Sequence, residues 1–389
     1  MTSTTKATPR TIARADHIGS LLRPQSLRKT FDEVGAHKPG FSNLQHDLTD
    51  EQRQHLLDAE ETAITQAVQR QLDAGLDVVT DGEFGRTLFV NSFYDAINGL
   101  RPADQRTHGR SWSNTRGEEI KYPGPPVIER RLSKIDSPAA REAALVHRLT
   151  DAPVKATFPA GSWFVSPLAR HDDTIEGYDS VEELQQHSIE ILKELIKDAV
   201  DSGATHIQLD FPPYVLLIDD NAKAGLVAAG LDVDAFMERC LWADRYVLEG
   251  LPSHVTYGLH LCRGNNRSSW MFEGPIDPIA EQLFSLPYDR FLIEWDDDER
   301  DGGFGALSKV PNGPVVVLGL VDSKRDEMET ADELLAKIDK ASEFLDVSQL
   351  ALSPQCGFAS SHEGNLLSEE TQWRKLELVG EVSDQVWPR

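Results

Sequence analysis

Short β-branched or apolar runs alternate with long amphipathic stretches along this chain, and that alternation limits its fold more than any other feature. Runs suited to strands occupy Ala13–Leu21, Asp77–Glu83, Val154–Ala160, His206–Phe211, Val255–Cys262, Phe291–Trp295, Val315–Val321 and Leu350–Cys356. Between many of them lie helical patterns. The stretch from Thr49 to Ala74 gathers Leu56, Ala59, Ala63, Ala67 and Val68 on one face, opens on the capping signal Thr49-Asp50-Glu51 and stops at Gly75. Val181–Asp201 gathers Leu184, Ile189, Leu192, Leu195, Ile196 and Val200 and stops at Gly203; Asp232–Glu249, Ala331–Phe344 and Ser368–Val386 complete the set. Strand then helix, repeated, is the pattern of a parallel sheet covered by helices. Eight strands over 389 residues favour a closed (β/α)8 TIM barrel over an open sheet. No glycine-rich phosphate loop follows the first run, so a nucleotide-binding sheet loses its main support.

The expected organisation is one α/β domain. Residues 1–12, rich in Ser, Thr, Lys and Pro, read as a disordered tail, and residues 13–389 as the barrel. One long insertion, about residues 84–153, follows the second strand; it is polar and rich in Arg, Gly and Pro. That position is the C-terminal face of a barrel, where active sites lie, so the insertion is either a lid or substrate-shaping hairpin or a passive excursion.

The charge balance excludes some partners. There are 39 Lys and Arg against 64 Asp and Glu, a formal charge of −25, so neither nucleic acid nor an anionic membrane surface is expected to bind. No apolar run approaches the roughly 18–20 residues of a membrane span. The first residues lack the apolar core of a signal peptide, and the chain has three cysteines; a reducing cytoplasm is the expected compartment. Oligomeric state is not legible.

Chemistry concentrates at strand ends. His260 and Cys262 are two apart on one strand and project together, while Leu259 and Leu261 face the helices. Glu294 ends the next strand, within the apolar run Phe-Leu-Ile-Glu-Trp, and a buried carboxylate there needs a partner. Cys356 ends the eighth strand. Barrel strand ends converge on one rim, so His260, Cys262, Glu294 and Cys356 form a candidate tetrahedral zinc set. Taken singly, a His-x-Cys pair or a cysteine at a strand end is more often core. Cys240, beside Met237 and Leu241 on a helix, reads as core.

These residues resemble a family. Asp16-His17-Ile18-Gly19-Ser20, Asp81-Gly82-Glu83-Phe84-Gly85-Arg86, Gln208-Leu209-Asp210, His260-Leu261-Cys262, Glu294, Gly319-Leu320-Val321-Asp322 and Ser353-Pro354-Gln355-Cys356-Gly357-Phe358 occur in the order and spacing of the catalytic barrel of cobalamin-independent methionine synthase, and of its short single-barrel bacterial relatives. The resemblance implies catalytic zinc on His260, Cys262, Glu294 and Cys356, with homocysteine as the thiol that it activates for attack on a methyl group. It implies that Ser20 holds the amino-acid carboxylate, that Glu83 and Asp210 hold the amino group, and that Asp322 lies near the site.

Departures from the family pattern fall on the donor side. Lys324 stands where the family has a histidine thought to protonate the departing folate; a lysine is a general acid only with a lowered pKa. The family's folate-stacking tryptophan meets Trp163 only across a gap, and the first barrel of the two-barrel enzyme has no counterpart. The donor is therefore open between methyl-folate and methylcobalamin. Two other readings stand beside a homocysteine methyltransferase. One is a zinc thiol alkyltransferase such as an epoxyalkane–coenzyme M transferase, in which Arg263 and Arg267 would face a sulfonate. The other is a metal-free binding barrel.

Overall fold

The fold was taken from a computed structural model, which describes residues 12–35, 48–101, 111–113, 116–121, 126–166, 169, 175–295 and 302–389. Most of the expected tail lies outside the described residues. Helices α1 (Gln25–Val34) and α2 (Asp50–Asp73) come first, then the short α3 (Asn91–Tyr94). Strands β1 (Ile97–Arg101), β2 (Ser111–Ser113), β3 (Glu119–Lys121) and β4 (Val127–Lys134) follow, then α4 (Pro138–Leu149). From there strand and helix alternate: β5 (Lys155–Pro159), α5 (Val181–Asp201), β6 (His206–Asp210), α6 (Val215–Ile218), α7 (Asp220–Ala228), α8 (Val233–Tyr246) and β7 (Thr256–Leu261). The chain continues through α9 (Ala280–Phe284), β8 (Arg290–Glu294), β9 (Val315–Val321), α10 (Ala331–Ser342), β10 (Leu350–Pro354) and α11 (Glu369–Val386).

Strands β5 to β10 form a parallel sheet in sequence order. Two extended segments, near residues 14–16 and 77–79, close it into a ring of eight. Asp16 N donates to Leu352 O (2.9 Å) and Leu352 N to Arg14 O (2.9 Å), joining the first segment to β10. Asp77 N donates to Ala15 O (2.9 Å), and Lys155 N to Val79 O (2.9 Å), joining the second segment to the first and to β5. The expected (β/α)8 barrel is therefore present. Its first two strands are short because side chains take their backbone groups. Asp77 Oδ2 accepts from Arg14 N (2.8 Å) and Ala15 N (3.0 Å), while buried Gln71 of α2 exchanges two bonds with the Thr80 backbone (2.9 Å each). Helix α2 opens on the capping box that its sequence announced, Thr49 with Gln52.

The lumen is divided between apolar and ionic filling. Ile18, Leu292, Val315, Val317 and Ala351 form a small cluster of their own, separate from the large core between sheet and helices. Beside it Asp16, Lys155, Gln208 and Arg290 are all buried. Asp16 accepts from Lys155 Nζ (2.6 Å) and from an Arg290 guanidinium nitrogen (3.0 Å), and Lys155 also donates to Gln208 Oε1 (2.8 Å). Burial alone would raise the Asp16 carboxyl, but the two cations hold it well below the usual carboxylate range.

The expected insertion is built of several elements. β1 and β4 pair antiparallel, with an irregularity between Asn98 and Leu100, where a Cβ on Gly99 would meet Arg130 O at 3.0 Å. β2 and β3 make a second hairpin between them. At its far end Arg116 donates to Leu366 O (3.3 Å), and Glu118 pairs with Arg267 (3.6 Å). The hairpin thus touches the loops that follow β7 and β10. No helix among the described residues is long and apolar enough to cross a membrane.

Asp16→Asn would leave two buried cations without a carboxylate, at an expected cost of about 3–5 kcal/mol. Because the Asp16 pKa is depressed, its contribution is complete above about pH 4 and is lost only as pH falls further. Urea unfolding at neutral pH checks this; a loss below about 1 kcal/mol would mean that the ion cluster carries little.

Candidate active site at the barrel rim

The ends of β7, β8 and β10 deliver the expected metal-binding side chains to one rim. His260 and Cys262 lie at the end of β7, and Cys356 follows β10 by two residues. Donor atoms of His260, Cys262 and Cys356 all lie within 4.8 Å of one another, and all three residues are buried. The two sulfurs are 3.3 Å apart, and Gly264 N donates to Cys262 Sγ (3.3 Å). His260 Nδ1 donates to Leu292 O at 3.2 Å, which leaves Nε2 as the ring nitrogen that could bind a metal. An imidazole nitrogen grouped with two thiols in a buried site suits a soft divalent cation, so the residues present fit zinc. Contact with Cys262, helped by His260, pulls the Cys356 thiol well below its ordinary range, while the same contact and burial push Cys262 well above it.

Glu294 ends β8 at the same rim, paired in register with Gly319. Its carboxylate is not grouped with those three donors. Oε1 accepts from Lys324 Nζ at 2.6 Å, and Oε2 from Arg263 N at 3.4 Å. Burial would raise the Glu294 carboxyl, but Lys324 outweighs it and the pKa falls. Lys324 is buried, and burial there is likewise outweighed by Glu294, so its pKa rises; this is the reverse of what a general acid at neutral pH requires. Asp322 Oδ1 accepts from Lys324 N (2.6 Å) and so holds the turn that points the lysine inward.

Ser20, Glu83 and Asp210 line other parts of the barrel top. Asp210 ends β6, beside His260 of β7 in register, and Gln208 Nε2 donates to its Oδ1 at 2.8 Å. Burial pushes the Asp210 carboxyl up to about 7, with His260 opposing. Glu83 accepts from Thr157 Oγ1 (2.8 Å) and has Arg86 at 3.9 Å; burial raises its carboxyl too. Glu83 (φ 58°) and Phe211 (φ 57°), which follows Asp210, both have left-handed backbones, a strain that concentrates at functional rims. Ser20 Oγ accepts from Ala359 N (3.3 Å) and lies against Gly357, immediately after Cys356.

Sequence reasoning missed Thr157, which anchors both Glu83 and Arg86. Its signal was alternation: it lies two residues after Lys155 on the lumen side of β5. Arg263 is buried and donates to Gly274 O (2.5 Å), and Arg267 pairs with Glu118. Trp163 is buried, donates to Tyr94 Oη (3.0 Å) and meets Phe89 and Phe211 edge-on at 5.9 Å each. Cys240 is buried in α8 within the large core, as expected.

The pattern of the family described as "Cobalamin-independent synthase, Catalytic domain" matches residues 42–370. The chain belongs to this family. YxjH of Bacillus subtilis (strain 168) is 34% identical over 380 residues, which cover 96% of this chain and 94% of YxjH. The 5-methyltetrahydropteroyltriglutamate–homocysteine methyltransferase of Lactiplantibacillus plantarum is 23% identical over 323 residues, 82% of this chain but 37% of that longer enzyme. A crystal structure of a putative vitamin-B12 independent methionine synthase from Listeria monocytogenes superposes with a TM-score of 0.71 at 24% identity, covering 99% of this chain and all of that one. The motif resemblance and the barrel thus agree with a cobalamin-independent synthase.

A Cβ on Gly357 would lie 2.0 Å from Ser20 Oγ, so Gly357→Ala is expected to destabilise the fold by about 1–3 kcal/mol. Ser20→Ala in the same chain should recover more than half of that loss in denaturant titrations. An equal loss with and without the Ser20 hydroxyl would show that the two residues do not constrain each other.

Proposed function

We propose that this chain is a zinc-dependent methyltransferase that moves a methyl group to homocysteine and yields methionine. The observation that carries the proposal is the buried trio His260, Cys262 and Cys356 on the same rim as two buried carboxylates. Zinc held by that trio would keep an acceptor thiol ionised at neutral pH, the form that attacks carbon.

The chain's own residues then orient the acceptor. Glu83 and Asp210 receive the substrate ammonium, and their buried carboxyls gain most from a cation because they have little solvent. Gln208 and Thr157 hold them in place. Ser20 receives the substrate carboxylate near Cys356. Two carboxylates support an amine-bearing acceptor over a sulfonate such as coenzyme M. For the donor, the family's cobalamin independence and the name of the Lactiplantibacillus plantarum relative support a methyl-folate over methylcobalamin. We further propose that residues 13–389 are one catalytic unit in which the β2–β3 hairpin of the insertion covers the rim; the contacts of Arg116 and Glu118 with the loops after β10 and β7 support this.

Protein purified without added metal is expected to carry about one zinc per chain, and Cys356→Ala to lose it. Less than half an equivalent, unchanged in the variant, would remove the metal from the account. In titration calorimetry, Asp210→Asn should weaken homocysteine binding about tenfold or more, the loss of one charge-assisted hydrogen bond, at unchanged zinc content. Equal losses of zinc and homocysteine would make Asp210 structural.

A further inference from the structure

The turn that follows the 77–79 segment is strained, and a side chain with no role in the function proposed above holds it. Gly82 (φ 74°) and Glu83 (φ 58°) are left-handed in succession, and Arg86 N closes the turn onto Glu83 O (3.3 Å). A glutamate keeps that backbone only where its surroundings fix it. Here Arg23 does so. It is buried, and its guanidinium donates to three main-chain carbonyls of the turn: Nη2 to Glu83 O (2.7 Å) and to Arg86 O, and Nε to Phe84 O (3.3 Å). A planar fork of donors suits several acceptors at once.

Arg23 lies three residues after Ser20, so this clamp ties together two turns that carry proposed substrate contacts. Thr80 Oγ1 donates to Gly19 O (2.8 Å) and Leu21 N to Gly82 O (3.0 Å), which knits them further. A Cβ on Gly19 would meet Glu83 Oε1 at 2.9 Å, so the first turn lies directly against the Glu83 carboxylate. Ser20 has holders of its own: its carbonyl accepts from Phe358 N (3.0 Å) and its hydroxyl from Ala359 N (3.3 Å). Loss of Arg23 would therefore release Glu83 rather than Ser20. Charge adds to the geometry. Burial lowers the Arg23 pKa to about 10, with Glu83, Glu60, Glu363 and Asp81 opposing, so it is a cation at neutral pH. Burial raises the Glu83 carboxyl, and Arg86 and Arg23 are the cations that oppose it.

We propose that Arg23 is a positioning residue for acceptor specificity: by fixing the Glu83 turn against the Ser20 turn, it sets the site to prefer a thiol with an ammonium beside its carboxylate over a thiol acid without one. The inference rests on the reading above, in which Glu83 receives the acceptor ammonium and Ser20 its carboxylate.

The test is titration calorimetry of the full chain, with zinc supplied, against homocysteine and against 4-mercaptobutyrate, which is homocysteine without its amino group. The wild type should prefer homocysteine by about tenfold or more. Arg23→Met should weaken homocysteine by about tenfold and 4-mercaptobutyrate by less than about twofold, at unchanged zinc content. Glu83→Gln should do the same, and the Arg23→Met/Glu83→Gln double variant should lose no more than Glu83→Gln alone. Arg23→Lys keeps the buried charge without the fork and decides the matter where Arg23→Met does not fold: it should weaken homocysteine by about threefold or more and leave 4-mercaptobutyrate unchanged. If the Arg23 variants weaken both ligands by the same factor, or neither, the proposal falls while Glu83 keeps its role. If the wild type binds homocysteine no tighter than 4-mercaptobutyrate, the role given to Glu83 falls and the proposal with it.

Discussion

Asp16, held between Lys155 and Arg290, is the interaction on which the rest of the barrel depends. It joins the segment that closes the ring to β5 and β8. A lumen filled only with aliphatic side chains would be easier to desolvate, but it would not relay order upward. Here Lys155 also binds Gln208, Gln208 binds Asp210, and Asp210 lies beside His260. Two hydrogen-bonded steps, Lys155 to Gln208 and Gln208 to Asp210, therefore run from the ionic centre of the barrel to its rim. Each is buried, so a break leaves an unsatisfied charge or amide at real cost.

The rim repeats this logic with a different balance. Where the lumen sets one carboxylate between two cations, the rim gathers Glu83 and Asp210, partnered by Arg86, the Thr157 hydroxyl and Gln208. Burial outweighs these partners and raises both carboxyl pKa values. A positively charged substrate group would supply what the fold withholds. Glu294 is the contrast: with Lys324 beside it, it is fully balanced within the chain, and its pKa falls.

Much of this was legible in the sequence. Strands β5 to β10 fell within about two residues of their expected limits because buried parallel strands are continuous apolar runs, and α5 and α11 followed from 3.6-residue periodicity. The first two wall strands were expected long and are short, because Asp77 and Gln71 substitute for ladder partners, which no periodicity encodes. Helix α1 and the individual strands of the insertion were not located; β4 buries Val127, Ile128 and Leu132 without regular alternation. His260, Cys262 and Cys356 were readable because strand ends converge. The Glu294–Lys324 pair was not, because the residues are 30 apart and meet only through the turn that Asp322 and Ser268 hold.

Isothermal calorimetry of the zinc-loaded chain in two buffers of different ionisation enthalpy tests the central claim most directly. Homocysteine binding should release about one proton per site more than methionine binding, as a thiol becomes a thiolate, because any proton that Asp210 and Glu83 lose to the ammonium is common to both ligands. Equal proton counts for the two ligands, or no binding of either, would contradict a rim built to hold and ionise an amino-acid thiol.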